Sequence, residues 1–236
     1  MNLVWAAVGA GVGLVAGAAL RGAVFRLSVP SGEPDRTTCP RCAGPLRSRL
    51  VMRCAHCGRR PGTPLVLELA TATVVALMCG RFGGQPEVVP FAFLATLGVA
   101  LATIDIAVQR LPDRLTLPAY PVLITLLAVS AVMEGKWSAL GRALLGGAAL
   151  SAVFLLMALA RPGGLGGGDV KLAGLAGLAL GWLGWPTLLF GAALGFLLSA
   201  VGILALLAAR RITLRGDISF GPFLLGGVLL AILVGG

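Results

Sequence analysis

Charge is scarce in this chain. Of 236 residues, nine are acidic, one is histidine and one is tyrosine, and Asp, Glu, Lys and Arg together make up 12%. A soluble globular domain carries about 25% charged residues, so the composition excludes that class. Disorder is excluded as well, because disordered chains are polar and charged and this one is 58% hydrophobic. Aromatic residues are also few, at 6%. Glycine is abundant, at 35 residues, with alanine and leucine around it. Small residues of this kind let helices pack closely in lipid. The formal charge of +10 raises two readings, nucleic-acid binding and membrane topology.

Apolar runs recur at the length a bilayer demands, about 20 residues per helix. Eight are expected, at Leu3–Phe25, Leu65–Gly80, Val88–Ile106, Thr116–Met133, Ala139–Ala160, Asp169–Leu183, Trp185–Ala209 and from Ile218 to the end. The sixth and seventh are divided only by Gly184–Pro186, so a count of seven stays open. The first run has no basic residue ahead of it and no small-residue cleavage site, so it reads as a retained helix rather than a signal peptide. The expected fold class is all-α, a polytopic membrane protein of about eight helices.

With eight spans, sixteen of the nineteen basic residues fall on one side of the membrane, leaving Arg81, Lys136 and Arg142 on the other. The positive-inside rule makes the crowded side cytoplasmic. The charge therefore states topology, and no nucleic-acid partner is expected.

Only the loop at 26–64 is long, and it is polar and rich in Arg and Pro. It holds Cys39-Pro40-Arg41-Cys42 and Cys54-Ala55-His56-Cys57, eleven residues apart. Each CxxC turn aims two thiolates at one ion, and two turns complete a tetrahedral zinc site. Four thiolates leave no open position, so zinc here would be structural, stapling a loop too short to build a core. The competing reading is two disulfides, which a reducing cytoplasm disfavours. His56 reads as a solvated turn residue, and Cys79 as a small packing or lipid-facing one.

A carboxylate in or near a membrane is a functional candidate. Glu68, Asp105, Asp113 and Asp169 are expected at or near the inner helix ends. Asp105 closes the third span and is followed by Leu111-Pro112-Asp113, while Asp169 follows Gly166-Gly167-Gly168. The glycines present no side chains to obstruct an extended peptide, and they permit turns that other residues avoid. Two neighbouring carboxylates can share a proton, one serving as base on water and the other as acid. Asp169 equally suits a helix cap and Asp113 a turn. Proton or ion transport on the same carboxylates competes with proteolysis, and a zinc-loop scaffold is a third reading. Lys171 is expected to point away from Asp169 and to anchor its helix at the lipid headgroups.

Several stretches together resemble the type 4 prepilin peptidases, bacterial membrane aspartyl proteases of the GxGD class. They are Gly17–Leu27, the double CxxC loop, Pro64–Glu68, Asp105 with Leu111-Pro112-Asp113, Gly166–Leu172 and Phe220–Leu224. The resemblance implies that Asp105 and Asp169 are the catalytic pair and that Asp113 is not. It implies cleavage of prepilin or pseudopilin leaders at the cytoplasmic face of a bacterial inner membrane. Many members also methylate the new N-terminus with S-adenosylmethionine. Arg21 stands where the family usually has Asn, and the linker between the CxxC pairs is short. Both departures lie in the part linked to methylation, so the peptidase assignment is the firmer one. The expected division is 1–25 as a first helix, 26–64 as a metal loop and 65–236 as a peptidase domain.

Overall fold

The computed structural model describes residues 2–30, 32–47, 53–58, 65–160, 165–209 and 219–235. Arg49, Arg59, Arg60, Arg161, Arg210, Arg211 and Arg215, counted above toward topology, lie outside the described residues, as do Pro64 and Asp217. The described chain is all-α apart from one two-stranded ribbon. The helices are α1 (Leu3–Leu27), α2 (Val66–Phe82), α3 (Val88–Val108), α4 (Asp113–Glu134), α5 (Trp137–Ala160), α6 (Gly167–Leu183), α7 (Trp185–Ala208) and α8 (Gly221–Val234). The strands β1 (Leu46–Arg47) and β2 (Arg53–Cys54) pair antiparallel.

Five helices, α1, α3, α4, α5 and α7, are long and apolar enough to cross a membrane. The others are shorter, with 17 residues in α2 and α6 and 14 in α8. The break between α6 and α7 is real. Gly184 closes one helix and opens the next at φ 150°, a backbone conformation side chains rarely allow. Helix α4 begins three residues earlier than its apolar run, because Pro112 sits at the N-cap with a fixed φ of −69° and Asp113 supplies an acid to the first turn.

The chain forms two compact units, Met1–Val108 and Gln109–Gly236. In the first, α1 and α2 meet through Gly9, Gly13 and Gly17, one helical turn apart. A Cβ on Gly13 would lie 2.6 Å from the Cα of Ala72, and one on Gly17 would lie 2.8 Å from the Cα of Glu68. Gly9 faces Cys79 in the same way, which makes Cys79 a packing residue. At the far end the Asn2 N–H donates to the Gly80 carbonyl at 2.8 Å. Stacked rings of Phe82 and Phe91, with centroids 4.4 Å apart, join α2 to α3.

The second unit repeats the device. Helix α6 is buried continuously from Leu172 to Trp182. Gly146 and Gly147 of α5 meet its Gly174, Gly177 and Gly181 with backbone against backbone. Gly191 and Gly195 of α7 do the same with Gly227 of α8. Phe154, Phe196 and Phe220 close a ring cluster at centroid distances of 5.3 to 5.7 Å.

Glu68, in the first turn of α2, is 6% exposed. Arg21 of α1 neutralises it by donating from Nη2 to Glu68 Oε1. Glu68 Oε2 and Arg21 Nε are buried without a hydrogen-bond partner among the described residues. An arginine inside the last turns of an apolar helix is itself the sequence signal for such a partner.

A leucine at Gly13 would drive α1 and α2 apart. The expected loss is about 1–3 kcal/mol, the usual cost of overpacking. Gly11, where an added Cβ meets nothing within 4 Å, should accept alanine without loss. Thermal midpoints of Gly13→Leu and Gly11→Ala in detergent would check both, and equal midpoints would remove the glycine contact as a determinant.

Candidate active site

Asp105 sits one turn before the end of α3. It shares a helical face with Leu94, Leu97, Leu101 and Ile104, all buried, and it is itself 5% exposed. That apolar face carries the carboxylate inward. Gln109 then takes a left-handed conformation (φ 50°) just past the helix end.

Asp169 is the third residue of α6 and belongs to the second unit, each unit being described by itself. Its N–H donates to the Gly166 carbonyl at 3.0 Å, and its Oδ2 accepts from the Gly166 N–H at 3.2 Å. The reciprocal pair satisfies donors that a helix start leaves open. Asp169 is therefore not the N-cap itself, which is Gly166, but caps the helix from the third helical position.

The glycine run differs from the sequence expectation. None of Gly166, Gly167 and Gly168 has a positive φ, and the last two are already helical. Gly168 is small because Leu111 packs on it, 2.9 Å from where a Cβ would stand. Gly166 and Gly167 are exposed, and nothing lies within 4 Å of a Cβ on Gly167.

Lys171 makes an ion pair that the sequence did not announce. Its ammonium donates to Asp113 Oδ1 at 2.5 Å, tying the N-terminal part of α6 to the first turn of α4. Neither partner is near the other in sequence, so no local pattern announces the pair.

The four cysteines are brought together. Their sulfurs all lie within 4.8 Å of one another. Each CxxC closes a turn, with Ala43 N–H donating to the Cys39 carbonyl at 2.9 Å and Gly58 N–H to the Cys54 carbonyl at 3.1 Å. The β1–β2 ribbon joins the turns and pairs Leu46 with Cys54. All four are free thiols, so the disulfide reading fails. The sulfurs of Cys39 and Cys57 are 3.8 Å apart and those of Cys42 and Cys54 3.3 Å apart. Thiolates about 2.3 Å from a tetrahedral zinc stand about 3.8 Å from one another, so the set fits the ion. His56 is exposed and packs over Gly44.

The thiols also differ in acidity. The Cys57 backbone N–H, helped by the Cys42 thiol and the His56 N–H, lowers Cys54 to about 6. At Cys42 the Gly44 N–H pulls downward, but the neighbouring thiols of Cys54, Cys57 and Cys39 prevail and raise it to about 12. One thiolate forms easily and further ones repel it, which is the pattern a bound cation relieves.

Residues 92–204 match the type IV leader peptidase family. The chain is 30% identical over 212 residues to a prepilin leader peptidase/N-methyltransferase of Bacillus subtilis, covering 85% of this chain and 82% of that protein. Proteins of the same name from Burkholderia pseudomallei and Pseudomonas aeruginosa are 32% and 31% identical. Those matches cover 86% and 90% of this chain, and 67% and 74% of the relatives. No solved structure matches the chain significantly. Helices, acids and relatives agree, and the chain belongs to the type IV leader peptidase family, alongside the prepilin leader peptidase/N-methyltransferases.

Proposed function

We propose that this protein is a membrane aspartic endopeptidase that removes the leader from prepilin-like or pseudopilin-like precursors. The cut is made at the cytoplasmic face of a bacterial inner membrane, with Asp105 and Asp169 as the catalytic pair. The observation that carries the reading is that both carboxylates lie inside the stretch 92–204 that matches the family, each at a helix end. The functional division is a first helix at 1–25, a metal loop at 26–64 and the peptidase proper at 65–236. A transporter on the same carboxylates is disfavoured, because the relatives are named as peptidases.

Asp169 stands at the positive end of α6 and accepts a backbone N–H, so it is the group suited to carry the charge and act as base. Asp105 stands at the negative end of α3, which favours the protonated form. In the hydrolysis, Asp169 takes a proton from water as the water oxygen bonds to the scissile carbonyl carbon. Asp105 gives its proton to the carbonyl oxygen. Collapse then breaks the C–N bond, the leaving nitrogen takes a proton, and the pair is reset.

The substrate's leader is basic and so is the enzyme's inner face, so charge attraction does not select it. Helix packing in the membrane does, with the extended leader lying over Gly166, Gly167 and Gly168. The first two offer open surface.

Cys39, Cys42, Cys54 and Cys57 hold a structural zinc, which fixes the loop and leaves no position for a substrate. The relatives' name also carries an N-methyltransferase activity. Methyl transfer from S-adenosylmethionine to the new N-terminus is the second activity proposed.

Purified enzyme in proteoliposomes, given a prepilin-like substrate, should cleave it. Asp105→Asn and Asp169→Asn should each lose at least about 100-fold in rate, the scale of a lost acid or base. Cleavage retained by either variant removes that aspartate from the pair. The product's mass, with S-adenosylmethionine present, decides the methylation. Gly167→Leu should cut the cleavage rate while leaving the thermal midpoint intact, and an unchanged rate would sink the leader-over-glycine arrangement. Metal analysis should find one zinc per chain, lost in Cys54→Ser. Protons compete with zinc for the four thiolates, so bound zinc should fall as the pH is lowered. No zinc in the purified protein would end the assignment.

A further inference from the structure

The geometry points to a positioning device for Asp169, built from Tyr120 and the Asp113–Lys171 pair. It rests on Asp169 being one of the two catalytic carboxylates.

Tyr120 is the chain's single tyrosine, and it lies in α4. Its hydroxyl donates to the Lys171 carbonyl at 2.6 Å. That carbonyl lies near the start of α6, two residues after Asp169. Helix α6 makes room for the hydroxyl, since a Cβ on Gly174 would fall onto it and onto Ser151 Oγ. Ser151, from α5, donates to the adjacent Val170 carbonyl at 3.2 Å. On the same turn, Lys171 reaches Asp113 at 2.5 Å and Gly168 abuts Leu111. Two consecutive carbonyls, one side chain and one Cα of the Asp169 turn are therefore each held by a different group.

The carbonyls do not need these donors for helix formation, because each has a second lone pair beyond its helical bond. Both bonds are part-buried, which limits competition from water for that lone pair. What the bonds add is a fixed rotation and depth of the turn relative to α4. A reacting carboxylate is sensitive to sub-ångström placement. Loss of the hydroxyl should leave α6 helical and slow the reaction.

The test uses the full chain in proteoliposomes with a prepilin-like peptide, measuring kcat and KM per folded molecule together with the thermal midpoint. Tyr120→Phe and Lys171→Met should lower kcat by roughly 3- to 10-fold, the net worth of one hydrogen bond, with KM unchanged. Lys171→Arg, which keeps the cation for Asp113, should retain most of the rate. Wild-type kcat in Tyr120→Phe and Lys171→Met, with Asp169→Asn inactive, would overturn the positioning role alone. So would a lowered thermal midpoint with kcat per folded molecule intact, or a loss in Lys171→Arg equal to that in Lys171→Met. Cleavage by Asp169→Asn would instead overturn the catalytic reading beneath it.

Discussion

The fold depends on backbone meeting backbone. Helices in lipid gain little from burying apolar side chains against one another, because the lipid is as apolar as they are. Association has to come from close contact, and dispersion fades within a fraction of an ångström. Glycine at the crossing points of α1 with α2, α5 with α6 and α7 with α8 removes the side chain that would hold the axes apart. The same pairs place the ends of α2 and α6, where Glu68 and Asp169 stand. Small residues thus do in this chain what a large hydrophobic core does in a soluble one.

The second constraint is that acids are rare, and three that stand at helix starts are answered. Glu68 meets Arg21, Asp113 meets Lys171, and Asp169 meets the Gly166 N–H. These answers differ in kind. The Arg21–Glu68 pair is largely buried, with side chains 15% and 8% exposed, and losing one partner of a fully buried pair costs about 3–5 kcal/mol. The Asp113–Lys171 pair is more exposed, with Asp113 at 58%, so its value is geometric more than energetic. At Asp169 the donor is the helix backbone itself, through the Gly166 N–H.

Much of this was legible beforehand. Long apolar runs gave the helices to within a few residues, because lipid leaves the backbone no alternative to internal hydrogen bonding. The CxxC spacing announced the cysteine cluster, since both turns are local. What escaped was non-local. Lys171 and Asp113 are 58 residues apart in sequence, and no periodicity encodes their meeting. The glycines before Asp169 looked like an open turn, yet Gly167 and Gly168 are helical. A glycine costs about 1 kcal/mol in a helix, and packing of Leu111 against Gly168 offsets that cost.

The Arg21–Glu68 pair also bears on descent. Replacing either residue alone strands a charge between α1 and α2, and the chain passes through an unstable intermediate. The two positions can drift only together, or in an order that removes the charge before its partner. A chimera that joins a first helix lacking this arginine to the second helix of this protein inherits that intermediate directly. The seam between α1 and α2 is therefore a barrier to recombination, although nothing in the cleavage chemistry requires it.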